Sequence, residues 1–388
     1  MTALYRLAGA SLVVLAICLP ALAAEDVSSL LEGIRAKHKL PALSVAMMKN
    51  GELVASGAAG TRAIDVDIPV TVEDRFHIGS DTKAMTATIA GTLVDEGKLS
   101  WTSTIGDVLG DEIEGINPKL AAVTLEQLLS HSSGIPSDTD EMIKIYFNAD
   151  GLQDNAAALR IKAIETMKDL EPKVPEGSPF QYANFGYLIA GAMIEKAAGK
   201  PWEQLIQERI FEPLGLKSAG LGPPVTDGLY DAAVGHRIND DGSLTAIPWG
   251  PAAGVPPIVS PAGDAHMSVL DFAKWCDWNA TGGKSPAIVK PETLAEIQKA
   301  HVKTPPMPDP PPGTPGEGEY AFGWGLVNYD WTGHPVLTHN GSNSMNLAKI
   351  FVDPETGITV AAVTNLPGKD ADAALTEAVE ALYEQQVK

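Results

Sequence analysis

The sequence predicts an α/β (α+β) fold, an antiparallel sheet flanked by helices with an inserted, mostly helical domain, and three observations lead there. The first is "ALSVAMMKNGELVASGAAG", from Ala42 to Gly60, in which two short apolar runs meet at Asn50-Gly51, a strong hairpin signal. The second is the change of period after the first hundred residues. Patterns such as "TLEQLLSH", "NFGYLIAGAMIEKAAG" and "PWEQLIQERIF" repeat their apolar residues at helical spacing, broken by loops rich in Gly, Pro and Asp. The third is the return of strand patterns from Tyr320, in "YAFGWGLVNY", "PVLTHNG", "NLAKIFVD" and "GITVAAVTN". Sheet, then helices, then sheet implies one discontinuous α/β domain, residues 24–98 and 256–388, around a helical domain, residues 99–255.

In chain order, residues 1–23 read as a secretory signal peptide. Arg6 precedes the apolar stretch "LAGASLVVLAICLPALA", and the small residues Ala21 and Ala23 lead to a cut at about Ala24. The stretch is too short for a lasting membrane span, and the bulky Ile17 before Cys18 argues against a lipid anchor there. The expected location is periplasmic or secreted. "FHIGSDTKAMTATIAGTLVDEG", from Phe76, then reads as a helix with good ends. Ser80, Asp81 and Thr82 are capping residues, Met85, Ile89 and Leu93 recur every four residues, and Gly97 suits the C-terminal cap. "TPPMPDPPPGTPGEGE" before Tyr320 is too rich in Pro and Gly for a regular element and reads as a surface loop. Asp353-Pro354-Glu355-Thr356-Gly357 is a turn between two strands, and an amphipathic helix closes the chain from about Asp370.

Composition sets the chemical context. The 388 residues are 45% hydrophobic and 20% charged, an ordinary globular balance with ample material for a core. A net charge of −21 makes nucleic acid and anionic membrane surfaces poor partners. If Cys18 leaves with the signal, Cys276 is the only cysteine, so an internal disulfide is impossible. Lying between Trp275 and Trp278, it reads as a buried, inert thiol. The eight histidines show no ligand spacing such as His-Glu-x-x-His, so no metal and no cofactor are expected. There is no Gly-x-Ser-x-Gly, which weighs against an α/β-hydrolase nucleophile elbow.

Ser80 and Lys83 are three residues apart, which puts a hydroxyl beside an amine on one face of a helix's first turn. A chain of this composition contains about one Ser-x-x-Lys by chance, so the pair alone decides nothing. Tyr-x-Asn occurs at Tyr146-Phe147-Asn148 and Tyr182-Ala183-Asn184, and His-x-Gly at His339-Asn340-Gly341. Order and surroundings decide among them.

"HIGSDTK", "TLEQLLSHSSGI", "PEGSPFQYANFGYLIAGAMIE", "IFEPLGL", "FGWGL" and "THNGS", in that order, resemble the serine β-lactamase-related family, which includes class C β-lactamases, DD-peptidases and serine esterases. The likeness spans nearly the whole chain after the signal and implies a β-lactamase/transpeptidase-like fold. It selects Tyr182, in a Gly-Ser-Pro turn before a helix led by Asn184, over Tyr146, whose flanks match nothing. It implies Ser80 as nucleophile with Lys83 and Tyr182 as its acid–base partners. A serine hydroxyl needs a neighbouring base. Lys83 serves only if its pKa falls well below the usual 10.4, and Tyr182 only if a cation stabilises its phenolate, so the base is either one. The resemblance places the oxyanion hole at the backbone N–H groups of Ser80 and Ser342. It makes Asn184 a substrate-orienting amide and puts His339 and Gly341 on the substrate-binding strand. His131, in "LLSHSSG", is expected to satisfy loop carbonyls at a helix end.

His339 departs from the Lys-Thr-Gly of β-lactamases. A histidine near pKa 6.5 loses its charge above neutral pH, so it is expected to hold an anionic substrate only when protonated. The expected activity is that of an exported serine hydrolase, forming an acyl-enzyme with esters or with small or D-amino-acid amides. The alternatives are a DD-peptidase or weak β-lactamase, and a penicillin-binding sensor that acylates without turnover. The expected partner is a small-molecule or peptide substrate.

Overall fold

A computed structural model describes residues 24–147 and 155–387; the expected signal peptide lies outside the described residues. The central sheet runs, in spatial order, Glu25–Asp26, Glu52–Ala63, Ala42–Lys49, Ile358–Thr364, Leu347–Asp353, Val336–Ser342, Gly325–Val327, Glu319–Tyr320 and Val302–Lys303. Val66–Pro69 adds to Glu52–Ala63 off this path. Every pair is antiparallel except Glu25–Asp26 with Glu52–Ala63. The Asn50-Gly51 hairpin forms as its residues require: Asn50 has φ of 50° and Gly51 of 89°, the left-handed pair of a type I′ turn. Its strand meets the C-terminal one in register, Val45 opposite Ala362 and Lys49 opposite Ile358, so the two ends of the chain share the middle of the sheet.

The three strands at the centre are buried on both sides, which explains their nearly unbroken apolar sequences. Alternate residues serve different cores. Leu347, Phe351, Val360 and Ala362 meet the Ser28–Lys37 and Lys369–Val387 helices through Leu31, Ile34, Leu375 and Leu382. Ala348, Ile350, Val352 and Ala361 belong instead to the larger core, with Phe272 and Trp275 of the Val269–Ala280 helix and the helices beyond it. Cys276 is buried there, and burial pushes its thiol well up.

The helical region is organised by two helices with almost no solvent face, Thr82–Asp95 and Asn184–Ala198. Residues 99–255 are not all helical. Gly220–Leu221 pairs with Ala265–Ser268, which pairs with Arg75–His77. The Gly235–Ile238/Leu244–Ile247 hairpin is fixed to the main sheet, His236 N–H donating to Met345 and Asn365 carbonyls. The loop from Thr304 to Gly318 runs between the last two edge strands. Among the described residues no helix is long and apolar enough to cross a membrane.

One ionic cluster ties the helical region together. Arg160, fully buried on the Ala156–Thr166 helix, donates to Glu195, Glu203 and the carbonyls of Pro257 and Ile258. Removing one partner of a buried pair leaves an uncompensated charge, a loss of about 3–5 kcal/mol. Arg160→Met is therefore expected to lower the unfolding free energy by about that amount in urea denaturation, whereas Arg209→Met, on a half-exposed pair with Glu96, is expected to cost less than about 1 kcal/mol.

Candidate active site

Ser80 does not cap the helix. It sits in a one-turn 3-10 segment, Gly79–Asp81, and neither Ser80 nor Asp81 closes a side-chain cap onto the Thr82–Asp95 helix. The Thr82 hydroxyl donates to the Gly79 carbonyl and accepts from the Ala265 N–H, which fixes the turn from below. The Ser80 hydroxyl is left to the site: Lys83 Nζ lies 3.0 Å from Ser80 Oγ, and Ser80 is also in side-chain hydrogen-bond contact with Tyr182.

Two glycines let the sheet reach this turn. Gly79 has φ of 50°, and a Cβ there would lie 2.3 Å from Ser342 N. A Cβ on Gly341 would lie 1.8 Å from the Ile78 carbonyl oxygen. Gly341 thus serves the site by close backbone packing, and the Ser342 amide comes to rest beside the Gly79–Ser80 turn. Of the Val336–Ser342 strand, the short Gly325–Val327 strand covers only Val336–Thr338, so among the described residues no strand lies beside the edge from His339 to Ser342 on that side.

Lys83 is fully buried and its amine touches three oxygens: Ser80 Oγ at 3.0 Å, Asn184 Oδ1 at 2.7 Å and the Ala262 carbonyl at 2.6 Å. The last two only accept hydrogen bonds. A neutral amine donates to both and accepts from the serine hydroxyl, so every group is satisfied without a charge. Burial lowers the Lys83 pKa to about 7, opposed by the nearby carboxylates of Asp138 and Asp81. The Lys83 amine also lies 4.7 Å from the centre of the Tyr182 ring. Burial drives the Tyr182 phenol well above its usual range, more than its contact with Ser80 lowers it. Of the two candidate bases, the physical setting suits Lys83, and Tyr182 stays protonated.

Tyr182 is held by a residue whose part the sequence reading misassigned. His131, buried and with φ of 59°, does not serve loop carbonyls as expected. Its Nδ1 accepts from the Ala183 N–H at 3.1 Å, its carbonyl accepts from the Gln181 N–H at 2.7 Å, and its ring lies 4.2 Å from that of Tyr182. Burial and the nearby Lys83 hold its pKa well below the usual value, so the imidazole is neutral with its proton on Nε2. Asp138 was also missed. It accepts from Asn184 Nδ2 at 2.6 Å and from the Tyr146 hydroxyl at 3.0 Å, fixing which end of the Asn184 amide faces Lys83. Tyr146 therefore supports the site at two removes. "SSGIPSD" gives no spacing signal for this, because the contact closes over 46 residues of sequence.

His339 is not an accessible cation. It is buried, with Nδ1 3.1 Å from Asp81 Oδ1 and Nε2 3.0 Å from the Tyr320 hydroxyl. Burial and the Lys83 charge lower its pKa to about 3, and burial raises that of Asp81. This setting favours the neutral imidazole, in contrast to the expected exposed charge that fades around pH 6.5. Among the described residues no group of three or more His, Cys, Asp or Glu side chains could hold a metal ion.

The geometry can be set beside known proteins. The chain is 26% identical over 342 residues to penicillin-binding protein 4 of Amycolatopsis lactamdurans, covering 86% of this chain and 83% of that protein. In structure it resembles a penicillin-binding protein homologue from Pyrococcus abyssi, at 27% identity and a TM-score of 0.74, covering 92% of this chain and 76% of that one. It shares the fold of a D-amino acid amidase from Ochrobactrum anthropi SV3, at 23% identity and a TM-score of 0.70 over 92% of this chain and 99% of that one. The family model described as Beta-lactamase matches residues 27–385. The chain belongs to the beta-lactamase family, and it is a hydrolase of that serine family.

Proposed function

We propose that this is an exported serine hydrolase that forms an acyl-enzyme on Ser80 with neutral esters or small amides, including those of D-amino acids. The observation that carries the reading is the buried Lys83 amine, near pKa 7 and in contact with the nucleophile's oxygen. Lys83 takes the Ser80 proton as Oγ attacks the carbonyl carbon. The negative oxygen that develops lies between the N–H groups of Ser80 and Ser342. Tyr182 gives its phenolic proton to the departing nitrogen or oxygen and regains one from the Lys83 ammonium. A water molecule then repeats the sequence on the acyl-enzyme and releases the acid.

A histidine in place of the permanent lysine charge of Lys-Thr-Gly supports esters and small amides over the β-lactamase alternative, and it leaves the DD-peptidase alternative open. The D-amino acid amidase of the same fold supports amides as one substrate class.

Three outcomes test this. A fluorophosphonate is expected to label Ser80 and no other residue, read by peptide mass spectrometry, with labelling lost in Ser80→Ala. An initial burst of nitrophenol from a nitrophenyl ester is expected to give way to steady turnover; one equivalent followed by silence would mean a sensor. Tyr182→Phe is expected to lose at least ~10²-fold in kcat, while Tyr146→Phe, which only frees Asp138, loses roughly 3–10-fold, the worth of one hydrogen bond.

The pH dependence follows from the two shifted groups. With the Lys83 pKa near 7, kcat/KM for a neutral ester is expected to rise as the pH increases through about 7 and then level off. With His339 neutral throughout, the ratio of kcat/KM for a carboxylate-bearing ester to that for its methyl-capped analogue is expected to stay flat from pH 6 to 8. A tenfold fall in that ratio per pH unit would restore a charged His339.

A further inference from the structure

A cavity of about 270 Å³ is lined by Tyr182 and His339 and also by residues whose side chains alternate to the other face of the Val336–Ser342 strand. There it is lined by Thr338, Asn340, Lys349, Thr314 and Tyr329. Pockets that bury a whole small ligand run from about 300 Å³ upward, so this one takes part of a substrate. Gly325 is part of its wall: paired with Thr338, it contributes no side chain, and a Cβ there would come 3.2 Å from the Thr338 carbonyl oxygen and 3.7 Å from Thr338 Cγ2.

The chemistry of the lining is specific. Lys349 is buried at 1% exposure, opposite Asn340 in register, and its ammonium donates to Asp372 Oδ1 at 2.7 Å and Thr376 Oγ1 at 2.6 Å. An ammonium has three hydrogens, which leaves one for the cavity. Asn340 Nδ2 donates to the same Asp372 oxygen at 3.0 Å, so the amide's own oxygen is left as an acceptor. Asp372 neutralises the lysine, and a second anion beside it would be repelled. One donor and one acceptor in an electrically balanced pocket match an uncharged amide.

We propose that this cavity is a subsite for the leaving-group side of the substrate, and that it binds an amide group there, its carbonyl accepting from Lys349 and its N–H donating to Asn340. The leaving-group side is assigned because Tyr182, which protonates the departing atom in the reading above, also lines the cavity. This rests on the acyl-enzyme reading above and specifies which substrates that site prefers: esters or amides whose departing alcohol or amine carries a further amide.

The test uses the full protein and three esters of one N-acetyl-D-alanyl group, with glycolamide, isobutanol or glycolate as the leaving alcohol. The readout is the ratio of kcat/KM for the glycolamide ester to that for the isosteric isobutyl ester, which cancels any general loss in a variant. Lys349→Met removes the donor, and Gly325→Val fills the cavity while leaving the Lys349–Asp372 pair in place. Both are expected to lower the ratio roughly three- to tenfold, the size of one hydrogen bond, with the glycolate ester below the glycolamide ester in the wild type. Turnover with a ratio that neither variant moves, or a wild-type preference for glycolate, overturns the subsite alone. Absence of turnover on all three esters overturns the hydrolase reading and the subsite with it.

Discussion

An amine that cannot reach water organises this molecule. Lys83 lies on a helix buried on nearly every side, and its side chain ends among oxygens from Ser80, Asn184 and Ala262. A charged ammonium in that setting bears the full cost of lost hydration, and the two acceptor-only oxygens accommodate a neutral amine as well. Each neighbour is therefore constrained. Asn184 must present its oxygen, which Asp138 ensures by binding its nitrogen. The Ala262 carbonyl must point inward, and Thr86, one helical turn on, holds the adjoining Pro261 carbonyl. The result is an amine whose pKa is lowered by exclusion of water.

Backbone contact gives the site its second half. The sheet and the helical region meet where Gly341 lies against the Ile78 carbonyl and Gly79 against the Ser342 amide. A methyl group on either would separate the Ser80 turn from the strand. The same approach brings His339 onto Asp81, and the pair shows how burial removes a charge that composition allows. In a low dielectric the acid is driven up and the imidazole down, so both favour their neutral forms. The strand that in Lys-Thr-Gly sequences carries a permanent cation here carries a hydrogen-bonding ring joined to Tyr320.

Around the reacting groups the support is aromatic. His131 touches the rings of Phe180, Tyr182, Tyr187 and Tyr320, while Tyr187 donates to the Leu129 carbonyl at 2.6 Å. These residues fix Tyr182 by its two flanking amides and by ring packing, so that its hydroxyl faces Ser80 rather than solvent.

The sequence by itself determined what depends on local period and local spacing. Asn50-Gly51 specified a hairpin because few residues accept left-handed φ, and the apolar run of "NLAKIFVD" specified a strand. Ser80 with Lys83 placed a hydroxyl and an amine on one turn because three residues make nearly one helical revolution. The order of short segments selected Tyr182 over Tyr146. What only the tertiary structure decided is which form each group takes and what it touches. The lowered pKa values of Lys83 and His339, the clamp of His131 on Tyr182, and the reach of Asp138 to Asn184 all arise from burial and from contacts across tens to hundreds of residues. Desolvation is a property of the surroundings, so no window along the chain contains it.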